Sequence, residues 1–478
     1  MIAAAFVLDA RGEGHAVKRL RSFLLAAALA VPISGAALAD DEAFKAHTFA
    51  LSNGMQVVVI PDHRAPVVTH QIWFKTGSAD DPRDAGGIAH FFEHLMFRGT
   101  PKVPDQQFDA ILSRNGGVNN ANTYYDRTVY YERIASDRLE LAMELDADRM
   151  ENLIISDQTV PSERNVILEE RNQRTDNNPD GLFWEQMNAA LYVAHPYGIP
   201  VIGWRSEIEG LTLEEAQAFY KANYGPNNAI LVVAGDVTVA QVKELAEKHY
   251  GVMKPRELAK QARPQEPPPR AARRVAMKDP QVGVPSFARL YLAPSYKSAK
   301  DGEAYALELM SYILGGSGDN SRLGLALTKR DKIVSSVQTW YDGDGVDDRM
   351  VGVYAQPSDG KTLADVEAAV DAEIAKFIAE GPTEAEMTRA KTVMLANAIY
   401  AKDNAEGLAN YYGEGLAYGL TVEDLDAWPD RINAVTIDQV KAVAAKYLEM
   451  KRSVTGTLEP EGTGGDAPPA SPPTEVTP

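Results

Sequence analysis

The stretch Lys254–Arg274 constrains the chain most, because Pro255, Pro264, Pro267, Pro268 and Pro269 lie there among basic residues and leave few backbone donors for helix or sheet. Such a segment reads as a stiff, extended linker, so the chain is expected to fold as units on either side of it. The two sides repeat each other. Before the linker, Thr212-Leu-Glu-Glu opens a helix that runs to Tyr224 and is followed by the strand Ala229–Ala234. After it, Thr436-Ile-Asp-Gln opens a helix that runs to Tyr447 and is followed by the strand Ser453–Leu458. Both openings carry the hydroxyl and the acid or amide of a capping box. The expected fold class is therefore α+β: two homologous α/β units, each a mostly antiparallel sheet flanked by helices, at residues 40–253 and 275–458.

Within the first unit, Asn53-Gly54 reads as a two-residue hairpin turn, and Val57–Ile60 and Val67–Phe74 as strands. A helix is expected from Ala85 to Phe97. A second hairpin, Asn119–Tyr125 with Thr128–Ile134, is expected after Gly116-Gly117, and helices at about 137–153 and 162–174. In the second unit, Ser286–Leu292 reads as a strand, Glu303–Leu314 as a helix, Val334–Tyr341 with Met350–Gln356 as a hairpin, and Lys361–Glu380 as a helix.

The ends differ from this pattern. Lys18, Arg19 and Arg21 precede an apolar run from Phe23 to Val31 and then Ala37-Leu38-Ala39, the order of a secretory leader cleaved after Ala39. The run is too short for a span of about 20 residues. A periplasmic location is the expectation. Asp9, Arg11 and Glu13 fit such a leader poorly, so the functional start is expected downstream of Met1. Residues 459–478 are Pro, Gly, Thr and acid with little to bury, and read as a disordered tail.

Composition narrows the chemistry. Among 478 residues there is no cysteine, which excludes disulfides, thiolate metal sites and a cysteine nucleophile. A formal charge of −19 argues against nucleic acid as a partner. Any metal must then be held by His, Asp or Glu. Two of the eight histidines form His90-Phe91-Phe92-Glu93-His94. On a helix, Ile88, Phe91, Phe92, Leu95 and Met96 share one face, and His90, Glu93 and His94 the opposite one. Imidazoles one turn apart can direct nitrogens at one zinc ion, and the intervening carboxylate can take a proton from the attacking water. The plain alternative is a solvated polar face. A third ligand is required, and Glu163, Glu169 and Glu170 follow Pro161 on a helix with Ser162 as its expected N-cap. Glu163 and Glu170 share a face while Glu169 is rotated away, although by spacing alone all three suit a charged solvent face.

These residues resemble a known family. His90–His94 embedded after Gly86-Gly87 and before Phe97-Arg98-Gly99-Thr100, with Gly116-Gly117, Asn120-Ala121, Val166–Glu170 and His195-Pro196-Tyr197-Gly198, is similar to the pitrilysin or insulinase family of zinc peptidases. The resemblance implies a duplicated fold forming half of a clamshell, Zn²⁺ held by His90, His94 and Glu170, Glu163 as supporting acid and Glu93 as catalytic base. It also implies an edge strand near Asn120 and Ala121 to which peptide substrates add as a further strand. Tyr305, Glu308 and Leu309 stand in the second unit where the first has its metal residues. The family's single-chain members carry an Arg and a Tyr seven residues apart in that unit, and here Thr328 and Ser335 occupy those positions. The expectation is the catalytic half of a heterodimer completed by a non-catalytic paralogue, or else a homodimer. A non-catalytic assembly subunit and a hydrolase of non-peptide amides are the rival readings.

Overall fold

A computed structural model describes residues 45–105, 107–258, 262–401 and 403–461. The expected leader and the tail lie outside these residues, apart from 459–461, and no helix among the described residues is long and apolar enough to cross a membrane. The strands are β1 (His47–Ala50), β2 (Gln56–Pro61), β3 (Val67–Phe74), β4 (Val118–Thr123), β5 (Thr128–Ala135) and β6 (Ala229–Gly235), then β7 (Arg273–Asp279), β8 (Ser286–Ala293), β9 (Val334–Asp342), β10 (Arg349–Pro357) and β11 (Ser453–Pro460).

The duplication is written in the pairing. The first sheet runs β1-β2-β6-β3-β5-β4 and the second β7-β11-β8-β10-β9. Without β1 the two orders are the same, and each sheet contains one parallel pair, β2 with β6 and β7 with β11. All other neighbours are antiparallel. Both capping boxes form: Thr212 with Glu215 and Thr436 with Gln439.

One face of each sheet is covered by its own unit's helices, whereas the other face is covered by a helix from the opposite unit. Helix Pro179–Leu191 lays Phe183, Met187 and Leu191 on Ala288, Leu290, Leu292 and Val454. Helix Ala405–Ala417 lays Leu408, Ala409, Tyr412 and Leu416 on Val58, Ile60, Trp73 and Val232. Each fully buried apolar side chain contributes about 1.5–3 kcal/mol, so the exchange locks the units together. Both exchanged helices are capped alike, by Asn178 and Asn404 accepting backbone N–H groups of the first turn. Gly413 permits the close approach on the first sheet, because a Cβ there would collide with the Trp73 indole. The linker is stapled as well: Arg263 pairs with Asp80 at 2.7 Å, with Asp126, and with Asp347 of the second unit at 3.5 Å. Glu266 accepts the N–H groups of Val193, Ala194 and His195 at 2.8–3.1 Å.

Three local readings are corrected. The Asn53-Gly54 turn is a loop spanning 51–55, because the Asn53 amide turns inward to donate to the carbonyls of Tyr250 and Met253. The helix expected over 85–97 spans only Ile88–Leu95. Gly87 stands before it at φ 89°, where a side chain is strained, and a Cβ would strike the Ile202 carbonyl. Ser162 is not an N-cap: the helix starts at Thr159, whose hydroxyl contacts Ser156, and Pro161 falls in the first turn, where its missing N–H costs little.

Candidate metal centre and active site

The helix Ile88–Leu95 is buried on almost every side, so its polar face opens into a walled site and not into bulk water. His90 and Glu93 are each 8% exposed. The helix Thr159–Arg171 packs beside it and brings Glu163 and Glu170 against the imidazoles. Glu170 Oε2 lies 3.3 Å from His94 Nε2 and 3.7 Å from His90 Nε2. One ligand atom from each of His90, His94 and Glu170 lies within 4.8 Å of the others. Donors about 2.0–2.1 Å from a tetrahedral zinc stand about 3.3–3.4 Å apart, so the three residues fit that ion.

The surrounding groups orient this set. Glu163 Oε2 is 3.3 Å from His94 Nδ1, and its other oxygen is held by Arg98. Glu170 Oε1 is turned away and held by Arg174 at 2.7 Å. His90 Nδ1 is buried and has no hydrogen-bond partner among the described residues. Burial and the neighbouring His94 push His90 down to about 4. Burial opposes the His94 imidazolium, but Glu163 and Glu170 outweigh it and lift its pKa to about 9. Burial raises the Glu93 carboxyl above its usual range, opposed in part by a hydrogen bond donated by Thr123. A base poised upward in this way is suited to proton transfer near neutrality.

His90, Glu93, His94, Glu163 and Glu170 thus meet in one place. Glu169 does not join them: it is exposed and accepts from Asn172 and Gln173. Asn120 and Ala121 lie on β4, the free edge of the first sheet, with Asn120 exposed and Ala121 buried. His195 is a loop residue, accepting from the Tyr197 N–H and standing 3.1 Å from Asp347. Sequence reasoning missed Thr123, Arg98 and Arg174 as partners of the site. Only Arg174 had a local signal, four residues after Glu170 on the same helical path.

A second cluster, His70, Glu132 and Asp146, is wholly buried under the first sheet. Arg149 pairs with both acids there, and His70 Nδ1 lies 2.8 Å from Glu132, so the charges are balanced internally. In the second unit, Glu308 accepts from Tyr296 and from Trp428, and Tyr305 accepts from Arg431. Where the first unit holds a candidate metal site, the second holds a hydrogen-bonded plug.

A two-histidine, one-glutamate set with an adjacent carboxylate, on a duplicated fold whose second copy lacks the set, defines a metallopeptidase. The particular family follows from comparison: residues 56–204 match the insulinase model, peptidase family M16, and residues 210–394 match the peptidase M16 inactive domain. The chain belongs to peptidase family M16. It is 29% identical over 450 residues to the zinc protease PqqE of Helicobacter pylori, covering 93% of this chain and 99% of that one. It is 26% identical over 412 residues to the mitochondrial-processing peptidase subunit beta of Blastocladiella emersonii, covering 83% and 85%. The crystal structure of a protease from Helicobacter pylori superposes with a TM-score of 0.80 at 28% identity, over 87% of this chain and 99% of that one.

Proposed function

We propose that this chain is a zinc-dependent endopeptidase acting on peptides or unfolded segments in the periplasm, as the catalytic half of a two-chain enzyme. The convergence of His90, His94 and Glu170 beside Glu93 carries the reading. Zinc bound there would polarise the scissile carbonyl and acidify the attacking water. The chain's own groups do the rest. Glu93 takes the water proton and returns it to the leaving amine, and the Thr123 hydroxyl fixes the carboxylate that does so. Glu163 holds His94 Nδ1, so that Nε2 faces Glu170. The free edge of β4 at Asn120 and Ala121 offers backbone groups to an extended substrate, which favours unfolded chains over folded ones.

The two-chain part of the proposal rests on the second unit. Thr328 lies on the helical turn Gly324–Arg330 with its hydroxyl buried, and Ser335 is exposed and bonded to the carbonyls of Gln356 and Pro357. Neither supplies a cation or a phenol, and losing a donor to the developing oxyanion typically costs about 10²- to 10³-fold in rate. A paralogue bearing the Arg and Tyr would restore it from across a shared chamber. The test is hydrolysis of a quenched, unstructured peptide by the zinc-loaded chain, alone and with the protein that copurifies with it. Slow cleavage alone and a rise of about 100-fold with the partner support the proposal. Full activity of the chain alone, unchanged by the partner, favours a homodimer, and no cleavage in either case favours an assembly subunit.

A further inference from the structure

Away from the metal centre, a cavity of about 420 Å³ opens at the junction of the two units. Its walls are the face of the first sheet turned from the helix Ile88–Leu95 and the second unit's helices around Tyr411 and Trp428. Strand β4 links the cavity to the catalytic side. Along β4, Ala121 packs into the core beneath that helix and Thr123 reaches Glu93, whereas the intervening Asn122 lines the cavity with Val129 and Tyr131 of β5. Residues paired across neighbouring strands project to the same face, and successive residues alternate. A peptide added along the free edge of β4 therefore points the side chain opposite Asn122 toward the cavity. That inference rests on the peptidase reading above.

The cavity is built for a cation. Trp73, Tyr131, Tyr411 and Trp428 offer aromatic surface. Asp344, Glu406, Glu414 and Asp426 contribute carboxylates, and Arg127, the lining cation among the described residues, is already paired with Glu414 and stacked 3.5 Å over Tyr124. Asp344 Oδ1 is shielded from solvent and has no hydrogen-bond partner among the described residues. A shielded carboxylate oxygen with no donor is costly, and a guanidinium or ammonium meeting it between aromatic faces relieves that cost. We propose that this cavity receives an arginine or lysine side chain of the bound peptide and that Asp344 determines that preference.

The experiment uses the zinc-loaded Glu93→Gln chain and fluorescein-labelled, N-acetylated peptides in which one arginine is walked through a neutral frame. Norleucine stands at the same position in the reference peptides. Anisotropy should reveal one position at which arginine binds more than about tenfold tighter than norleucine, the equivalent of about 1.4 kcal/mol. Asp344→Asn should cut that ratio below about threefold. Asn122→Lys, at an exposed position that tolerates a long side chain, should abolish the ratio and favour glutamate instead, so it decides the matter even if Asp344→Asn fails to fold. An arginine preference at no position, or one that survives Asn122→Lys, overturns the proposal, as does a preference seen only with a free α-amine. If norleucine peptides bind without any basic preference, the cavity assignment alone fails. If the zinc-loaded wild-type chain with its copurifying partner cleaves no peptide, the peptidase reading fails with it.

Discussion

Replacing Glu163 by Gln tests how the metal site is held together. The carboxylate stands 3.3 Å from His94 Nδ1 and is itself anchored by Arg98. It fixes the tautomer that leaves the lone pair on Nε2, the nitrogen 3.3 Å from Glu170. Gln keeps the shape but loses the charge that helps lift His94 to about 9, so the imidazole becomes a weaker donor. Removing an orienting partner of this kind typically costs about 10- to 100-fold in metal affinity, or about 1.4–2.7 kcal/mol. Competition against a chromophoric zinc chelator at pH 7.5 measures it. Glu170→Gln, which removes a ligand, should lose more than Glu163→Gln. Glu169→Gln should stay within about twofold of wild type, because that side chain is exposed and hydrogen-bonded to Asn172 and Gln173, away from the imidazoles. A Glu163→Gln affinity indistinguishable from that of Glu169→Gln would refute the reasoning.

Three further outcomes are expected. Thr123→Val removes the hydrogen bond that lowers the Glu93 pKa while burial still raises it, so the acid limb of kcat/KM should move to higher pH; an unmoved limb contradicts the contact. His70, desolvated but paired with Asp146 and Glu132, has a folded pKa of about 9 against 6.5. Its contribution is fully present below pH 6.5 and is lost as pH rises through 9, so urea stability should fall between pH 7 and 10 in wild type and less in His70→Gln. Arg263→Ala leaves the buried Asp126 short of its cation and should cost about 3–5 kcal/mol in stability, read by denaturant melts.

How much of this was legible depended on how local each signal is. His90, Glu93 and His94 stood out because one helical turn places them together, whatever the rest of the chain does. Glu170 did not, since spacing set Glu163 and Glu170 on one face and Glu169 off it but left a charged solvent face as good a reading of all three, until the family resemblance chose among them. Thr123 and Arg98 carry no pattern linking them to Glu93 and Glu163, and only packing of β4 and the two helices brings them there. The duplication was visible in the Thr212 and Thr436 caps. The helix exchange was not, although Asn178-Pro-Asp-Gly and Asn404-Ala-Glu-Gly echo each other ahead of the two exchanged helices. The helix start at Ile88 was misread because the apolar period continues through Gly86-Gly87, where backbone contact with Ile202 overrides it. The junction cavity has no one-dimensional signature, because Asn122 and Asp344 become neighbours of one space only when the two units dock.

The central claim is that one metal ion sits between His90, His94 and Glu170 and that Glu93 acts beside it. The most direct measurement is anomalous scattering at the zinc edge from crystals of the zinc-loaded Glu93→Gln chain, paired with hydrolysis by the same protein. The account predicts one zinc per chain, bonded to His90 Nε2, His94 Nε2 and Glu170, with peptide hydrolysis reduced to a few per cent of wild type or less. A peak at His70, Glu132 and Asp146, no peak at all, or undiminished hydrolysis by the metal-loaded variant would contradict it.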